Sequence, residues 1–387
     1  MNIITFKFLR LFRTFLVFLP VILGFSLQAQ NKIDSVTDAI KNNMFSRLKN
    51  FTFGFYIDAY YNEILKSRND SSNIVPFSGN CPVMDQFRLN MAAIEIGYDA
   101  DKVRGKLAIQ FGDAPNLLAV PSAQFIKNIR QANFGFKIVK DLWIDIGYFL
   151  NPVGYESSWP VINQFSTVTI GGYYEPGCIL GVKLFYQPVE NFKVGIMIGN
   201  PYSVAYGKNI HTAGMVLMNY KPIKNLSITY NNFFGNQALI DAEISNNIFY
   251  NNLIVAYNPV EFLELVGQLD FAVQTHSHLP PETDLNATMF SGFIQARIPF
   301  YDHFAAMARY EFFNDPDGFL SGTYTYNGKV RGLLTYGVGF GFEYKPVKIG
   351  YIRVEYRFLN SASGNYVFHD VNSDNQQAIV ITTGVRF

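Results

Sequence analysis

The chain has 387 residues, with 31 Lys and Arg against 30 Asp and Glu, and its formal net charge of +1 offers no case for nucleic acid or a strongly charged partner. Hydrophobic residues make up 49% and aromatics 16%, while charged residues are only 16%, well under the roughly 25% of a soluble domain. Beyond the opening segment no uninterrupted apolar run reaches the about 18 residues of a membrane-spanning helix, so a helical membrane bundle is excluded, and β structure with one face against lipid or a large core remains.

The opening MNIITFKFLRLFRTFLVFLPVILGFSLQAQ carries Lys7, Arg10 and Arg13, then an apolar stretch from Phe15 to Leu27, then small or polar residues around Ala29. That layout predicts a secretory signal over 1–29, cut between Ala29 and Gln30. No Cys follows the apolar run, which argues against a lipid-anchored precursor. Residues 30–50 form a separate periplasmic segment. Ile33, Val36, Ile40 and Leu48 lie there at near-helical spacing, which predicts a short amphipathic helix, far too short for the plug of an energy-coupled importer.

From residue 51 to the end, alternation dominates. FTFGFYIDAYYN (51–62) opens the series, and a short turn phrase then recurs down the chain. It is degenerate in YDADKVRG (98–105) and FKIVKDL (136–142), sharp in YQPVENF (186–192), YKPIKNL (220–226) and YNPVEFL (257–263), degenerate again in RIPFYDHF (297–304), and sharp in YKPVKIG (344–350). Pro fixes its own φ and lacks an N–H, so it ends a strand, and the charge beside it marks exposure to water. The phrases are spaced roughly 34 to 50 residues apart, room for two strands of about ten residues and one long loop. Between them lie stretches rich in Asn, Gly, Ser, Asp and Pro, such as RNDSSNIVPFSGNCP and NSASGNYVFHDVNSDNQ.

Period-two alternation runs through the segments. In LELVGQLDFAV, Leu263, Leu265, Leu269, Phe271 and Val273 oppose Glu264, Gln268 and Asp270; in YIRVEYRFL, Ile352, Val354, Tyr356 and Phe358 oppose Arg353, Glu355 and Arg357. Short turns at one end and long polar loops at the other predict an all-β transmembrane antiparallel barrel over 51–387. It would have about 16 strands, periplasmic turns, extracellular loops and both termini in the periplasm. Tyr186, Tyr220, Tyr257 and Tyr344 would then share one height, as an interfacial aromatic girdle requires. The closing AIVITTGVRF would send Ile379, Ile381, Thr383, Val385 and Phe387 to lipid. It must pair with the first strand, since an open edge in lipid leaves backbone groups unsatisfied. The terminal aromatic, Phe387, resembles the signal by which barrel-assembly machinery recognises its clients.

FTFGFYIDAYYN and FRLNMAAIEIGYDADKVRGKLAIQFGDAPN (87–116) resemble the OmpL-like outer-membrane β-barrel porin family of Gram-negative bacteria. A G-[FY]-[IV]-D-[AV]-Y-Y strand and a Y-D-x-D-K-V-R-G turn carry the likeness. It implies a closed barrel enclosing a water-filled channel for passive diffusion of small hydrophilic solutes, with no cofactor and no catalytic motif to transfer. A structural or docking barrel, binding a partner through its loops, is the alternative. An embedded hydrolase would need an outward Ser–His pair that the alternation does not supply.

Alternation sends Arg88, Arg104, Lys106, Lys137, Glu264, Asp270, Arg297, Arg309, Glu311, Arg353, Glu355, Arg357 and Arg386 inward, where an aqueous lumen would keep them hydrated. They could form a basic ladder biasing flux toward anions, or a wall of paired charges that keeps the lumen wet. The third long loop, about 151–176, carries Tyr155, Trp159, Tyr173 and Tyr174 and is long enough to fold inward as a constriction. Its aromatics could grip a solute or pack the loop against the wall. Cys81 and Cys178 both fall at the outer end, where a disulfide or two free thiols are both open. THSH offers His276 and His278, but no further Cys or His gathers nearby, so no metal site is expected. Expected partners are outer-membrane lipid, the assembly machinery and the solutes; homo-oligomerisation is left open.

Overall fold

The recurring turn phrase is a bulge. At Tyr186/Val189, Tyr220/Ile223, Tyr257/Val260 and Tyr344/Val347 the strand pairing shifts, which leaves Pro188, Pro222, Pro259 and Pro346 outside the regular ladder. A residue with no N–H fits at such a point. The residue before each Pro donates its N–H to a carbonyl in the preceding turn. Gln187 reaches Asp141, Lys221 reaches Asn191, Asn258 reaches Asn225 and Lys345 reaches His303, at 2.7–3.0 Å. Each turn is thereby fastened to the one before it.

A computed structural model describes residues 49–65, 73–118, 124, 126–150, 152–200, 211–240, 242–368 and 373–387. The expected signal, 1–29, and nearly all of the expected periplasmic segment, 30–48, lie outside the described residues. The strands are β1 (Phe51–Ile64), β2 (Phe87–Asp99), β3 (Val103–Phe111), β4 (Ile129–Val139), β5 (Leu142–Phe149), β6 (Ile179–Val189), β7 (Phe192–Gly199), β8 (Ala213–Ile223), β9 (Leu226–Asn236), β10 (Asn247–Val260), β11 (Leu263–Gln274), β12 (Ala287–Tyr301), β13 (Phe304–Asp315), β14 (Tyr324–Tyr326), β15 (Lys329–Arg331), β16 (Leu333–Val347), β17 (Gly350–Ser361) and β18 (Asn375–Arg386).

All but β14 and β15, which pair as a hairpin in the loop after β13, close into one antiparallel barrel of sixteen strands. The seven short turns join β2–β3, β4–β5, β6–β7, β8–β9, β10–β11, β12–β13 and β16–β17, where the phrases lie in sequence. No described helix is long and apolar enough to cross a membrane.

The last strand closes on the first, with Tyr56 opposite Arg386 and Ile64 opposite Ala378. Phe387 completes the seam: its carbonyl accepts from Phe55 N at 2.6 Å, its N–H donates to Phe55 O at 3.0 Å, and the two rings stack at 5.6 Å. The outer wall is apolar, with Leu253, Leu269, Phe271, Phe340 and Phe342 all exposed. Tyr186, Tyr220 and Tyr257 are exposed on the same face at the short-turn end, and Tyr344 stacks on Phe304 at 4.7 Å. The girdle that the turn phrases imply is therefore present.

A charge placed mid-wall on this face has no water to reach. Leu269→Arg, in the middle of β11, should destabilise the barrel by about 2–4 kcal/mol, read as a shift of the urea unfolding midpoint in lipid vesicles.

Candidate functional site

A long loop that enters a barrel brings backbone N–H and C=O groups that must find partners there. The loop between β5 and β6, residues 150–178, finds them in the inward charges of the strands. Arg353, fully buried, donates to Pro160 O at 3.2 Å, to Asn163 O at 2.9 Å and to Ser166 Oγ at 2.9 Å, and is held by Glu343 at 2.6 Å. Glu355 accepts from the N–H groups of Ser166 and Thr167 and from Thr167 Oγ1 at 3.0 Å. Arg309 donates to Thr167 O at 2.7 Å and Oγ1 at 2.9 Å, lies 3.3 Å from Glu156, and covers the Phe165 ring at 4.6 Å. Glu311 accepts from Ile170 N at 2.8 Å while Arg357 clamps it at 2.8 and 2.9 Å.

The loop's own sequence suits this course. Thr169 caps the short helix Ile170–Tyr173, accepting from Gly172 N at 3.1 Å. Gly154, at φ +89, lies where the Glu175 carboxylate occupies the space of any Cβ. Gly339, in the lumen face of β16, lies against the loop, with Phe165 Cε1 3.4 Å from where a Cβ would stand.

The loop then crosses the lumen. Gly154 N and Tyr155 N donate to Asn252 Oδ1 and Gln268 Oε1 on β10 and β11, at 3.2 and 2.8 Å. On the other side Trp159 stacks on Tyr56 at 5.0 Å between the guanidinium groups of Arg130 at 4.2 Å and Arg386 at 4.6 Å. Tyr174 packs on Phe313 at 5.0 Å, Tyr155 lies 6.3 Å from Phe293, and Tyr173 sits edge-on to Phe77, its ring partly exposed.

The remaining inward charges pair within the wall. Arg88 forks onto Asp113 at 2.6 and 2.8 Å, Arg104 onto Asp145 at 2.6 and 2.7 Å, and Lys106 meets Glu95 at 2.6 Å. Arg297 bridges Glu264 at 2.7 Å and Glu343 at 2.8 Å; Lys137 reaches Asp101 at 2.9 Å near the turns. Asp270 is buried among Asn252, Gln268 and Ser291, which donate to it at 2.7–3.1 Å. The expectation that these side chains stay hydrated fails for Asp270, Arg309, Glu311, Arg353, Glu355 and Arg357, all at most 4% exposed, because the loop lies over them. A buried charge persists only with partners, and here the partners are loop amides and carbonyls.

Of the two alternatives open for Cys81 and Cys178, the structure has the two free thiols. Cys81 is buried with Tyr60, Val83 and Val380 at the β1–β18 seam, and burial pushes its thiol pKa well up. His276 and His278 bind no shared partner: their Nδ1 atoms lie 2.9 Å from Ser245 O and 3.0 Å from Leu279 O. The described residues hold no metal-like cluster.

Two features escape an alternation reading. Arg130 is the extra residue where the β3–β4 pairing jumps between Ala108 and Ile109, so the bulge turns it inward against parity. The second is an apolar inner wall, where Met197, Met215, Leu217, Phe233 and Met289 pack with Phe77, Val153, Ile170 and Phe368 from three loops. Its only signal is apolar sequence on both strand faces, as in GIMIG and GMVLM.

Glu175 closes the loop. It accepts from Gln268 Nε2 at 2.6 Å, and that same amide donates to Asp270 at 2.9 Å. Burial pushes the Glu175 carboxyl well above the usual carboxylate range, and the nearby Asp270 charge adds to the shift. Burial also raises Glu156, with Arg309 opposing it.

A closed sixteen-stranded barrel with an apolar outer wall, an aromatic girdle and an inward loop pinned to its charged inner face is an outer-membrane porin. The chain belongs to the β-barrel porin-2, OmpL-like family, whose model matches residues 50–387. Among solved structures it is similar to OmpF of Salmonella typhi in complex with daunomycin, with 14% identity and a TM-score of 0.59, covering 87% of this chain and 97% of that one. An anion-selective porin from Comamonas acidovorans gives 11% identity and a TM-score of 0.56 over 87% and 99% of the two chains. The outer-membrane channel DcaP of Acinetobacter baumannii gives 12% and 0.56 over 87% and 97%. These likenesses are of fold. No curated protein matches the chain. The protein is a passive-diffusion channel of the Gram-negative outer membrane.

The Glu175 contact makes loop attachment depend on pH. Its pKa is higher with the loop docked than free in water, so between the usual carboxylate range and the raised value the docked state binds more protons, and docking weakens as pH rises. Conductance should therefore increase with pH across that window, and Glu175→Gln should flatten the profile; an unchanged profile in the variant would count against this assignment.

Proposed function

We propose that the loop of residues 150–178 sets the size limit of the channel and that solutes pass along the short-turn end of the β3–β7 inner wall, where a cavity is lined by no residue of that loop. The observation that carries this reading is the set of buried bonds that Arg309 and Arg353 donate to loop carbonyls and that Glu355 accepts from the Thr167 N–H. A segment held by charged groups with no water behind them stays in the lumen through many solute passages. The arginines of β13 and β17 are struts in this reading, and ion selectivity belongs to the opposite wall. Purified protein in planar bilayers should give stable conductance steps, and deleting 157–169 should raise the step size. Sealed bilayers would favour a docking barrel, and an unchanged step would remove the loop from the constriction.

Both termini are assigned to the periplasm, by the rule that short turns face that side. Small hydrophilic solutes, without cofactor or catalysis, are the cargo. A second copy of the chain is a further partner. Tyr230, Asn232 and Asn251 form a hydrogen-bonded polar group on the outer face of β9 and β10, with Tyr230 Oη donating to Asn251 Oδ1 at 2.7 Å and Asn232 Nδ2 at 3.2 Å from the same oxygen. Polar side chains on a lipid-facing wall are best covered by protein.

Phe387 serves as the assembly signal as well as the last stave. Removing it takes away the seam bonds to Phe55, and adding a polar tail leaves those bonds but ends the chain on a polar residue; both should lower the yield of surface-inserted barrel several-fold, read by heat-modifiable gel mobility, and normal insertion of both variants would oppose the assignment.

A further inference from the structure

At the short-turn end of β3–β7 a cavity of about 830 Å3 remains beside the wall that the loop does not cover. Its floor is an aromatic pair: Trp143 on β5 and Phe185 on β6 are direct cross-strand partners, both on the lumen face. Cations are interleaved with the rings. The Arg104 guanidinium lies 4.3 Å over Trp143, Lys193 Nζ is 5.5 Å from the centre of Phe185, and Lys183 Nζ is 4.5 Å from Phe149 and 5.7 Å from Phe185.

These cations are not equally neutralised. Asp145 is already forked by Arg104 at 2.6 and 2.7 Å and stands 3.9 Å from Lys183, beyond hydrogen-bonding reach. Among the described residues Lys193 has no carboxylate within 4.0 Å. Two ammonium groups with unused donors thus stand beside two half-buried rings, of which Trp143 carries Arg104 at 4.3 Å and Lys137 at 5.5 Å. An anion entering here gains a charge-assisted contact from the lysines, and a planar apolar body gains stacking that a small aliphatic anion cannot. At the rim Asp99, Asp141 and Glu190 line the same cavity, and their charge works against a dianion.

We propose that this vestibule is a binding site for monovalent aromatic carboxylates on their way through the channel. The assignment rests on the diffusion reading for its purpose, but occupancy is measurable without transport.

Calorimetry on the folded full-length barrel in detergent, titrated with benzoate, acetate and phthalate, tests it. Benzoate should bind about five- to tenfold more tightly than acetate, the factor that one aromatic contact supplies, and more tightly than phthalate. The double variant Lys183→Gln with Lys193→Gln should lose binding of both monoanions and is the blank for micelle partitioning. Trp143→Leu should keep the acetate affinity and lose the preference for benzoate, and Phe185→Leu carries the same test should the first variant not fold. Equal affinity for benzoate and acetate, tighter phthalate binding, or a preference that survives loss of the ring would overturn the site. A barrel that binds benzoate yet shows no conductance retains the site and loses the channel; one that conducts without discriminating does the reverse.

Discussion

Inside this barrel the decisive constraint is that a loop crossing the lumen must satisfy its backbone without water. Arg353 shows how that is done. Its guanidinium is fully buried, with Nη2 on Glu343 at 2.6 Å and on Asn163 O, and Nη1 on Pro160 O and the Ser166 hydroxyl of the loop. Glu355, two residues on along the same face, supplies the complementary acceptors for loop N–H groups. Removing one member strands the others, a cost of about 3–5 kcal/mol in comparable buried pairs. The wall charges and the loop therefore act as one unit, and Phe165 of that unit lies against Gly339 of β16.

This divides the interior. The face from β10 through β18 is spent on holding the loop, and its arginines have little left for a passing anion. At its short-turn end the β3–β7 face keeps lysines beside aromatic rings, and these line a cavity. Charge on the lumen wall is thus a poor guide to selectivity until it is known which charges the protein itself consumes.

Much of the architecture was legible because its cause is local. A Pro in Y-x-P cannot donate to a ladder, so the phrase marks a bulge and a turn wherever it occurs, and counting phrases counts hairpins. Parity then sorted Arg353 from Ile352 and Phe358, since successive side chains in a strand point to opposite faces. Parity failed where a bulge inserted a residue, at Arg130, and was silent where both faces are apolar, as at Met197 and Met215. It had no way to pair Cys81 with anything, because its surroundings come from three separate segments.

The sequence by itself determined a barrel of about sixteen strands, the closing of the last strand on the first and the outward girdle, because each follows from period-two patterning, the recurring turns and the rule that no edge is left unpaired in lipid. Only the tertiary structure decided what the inward charges do. Whether Arg309 meets solute or Thr167 depends on a contact 142 residues away in sequence, and a side chain's hydration is fixed by what finally lies over it.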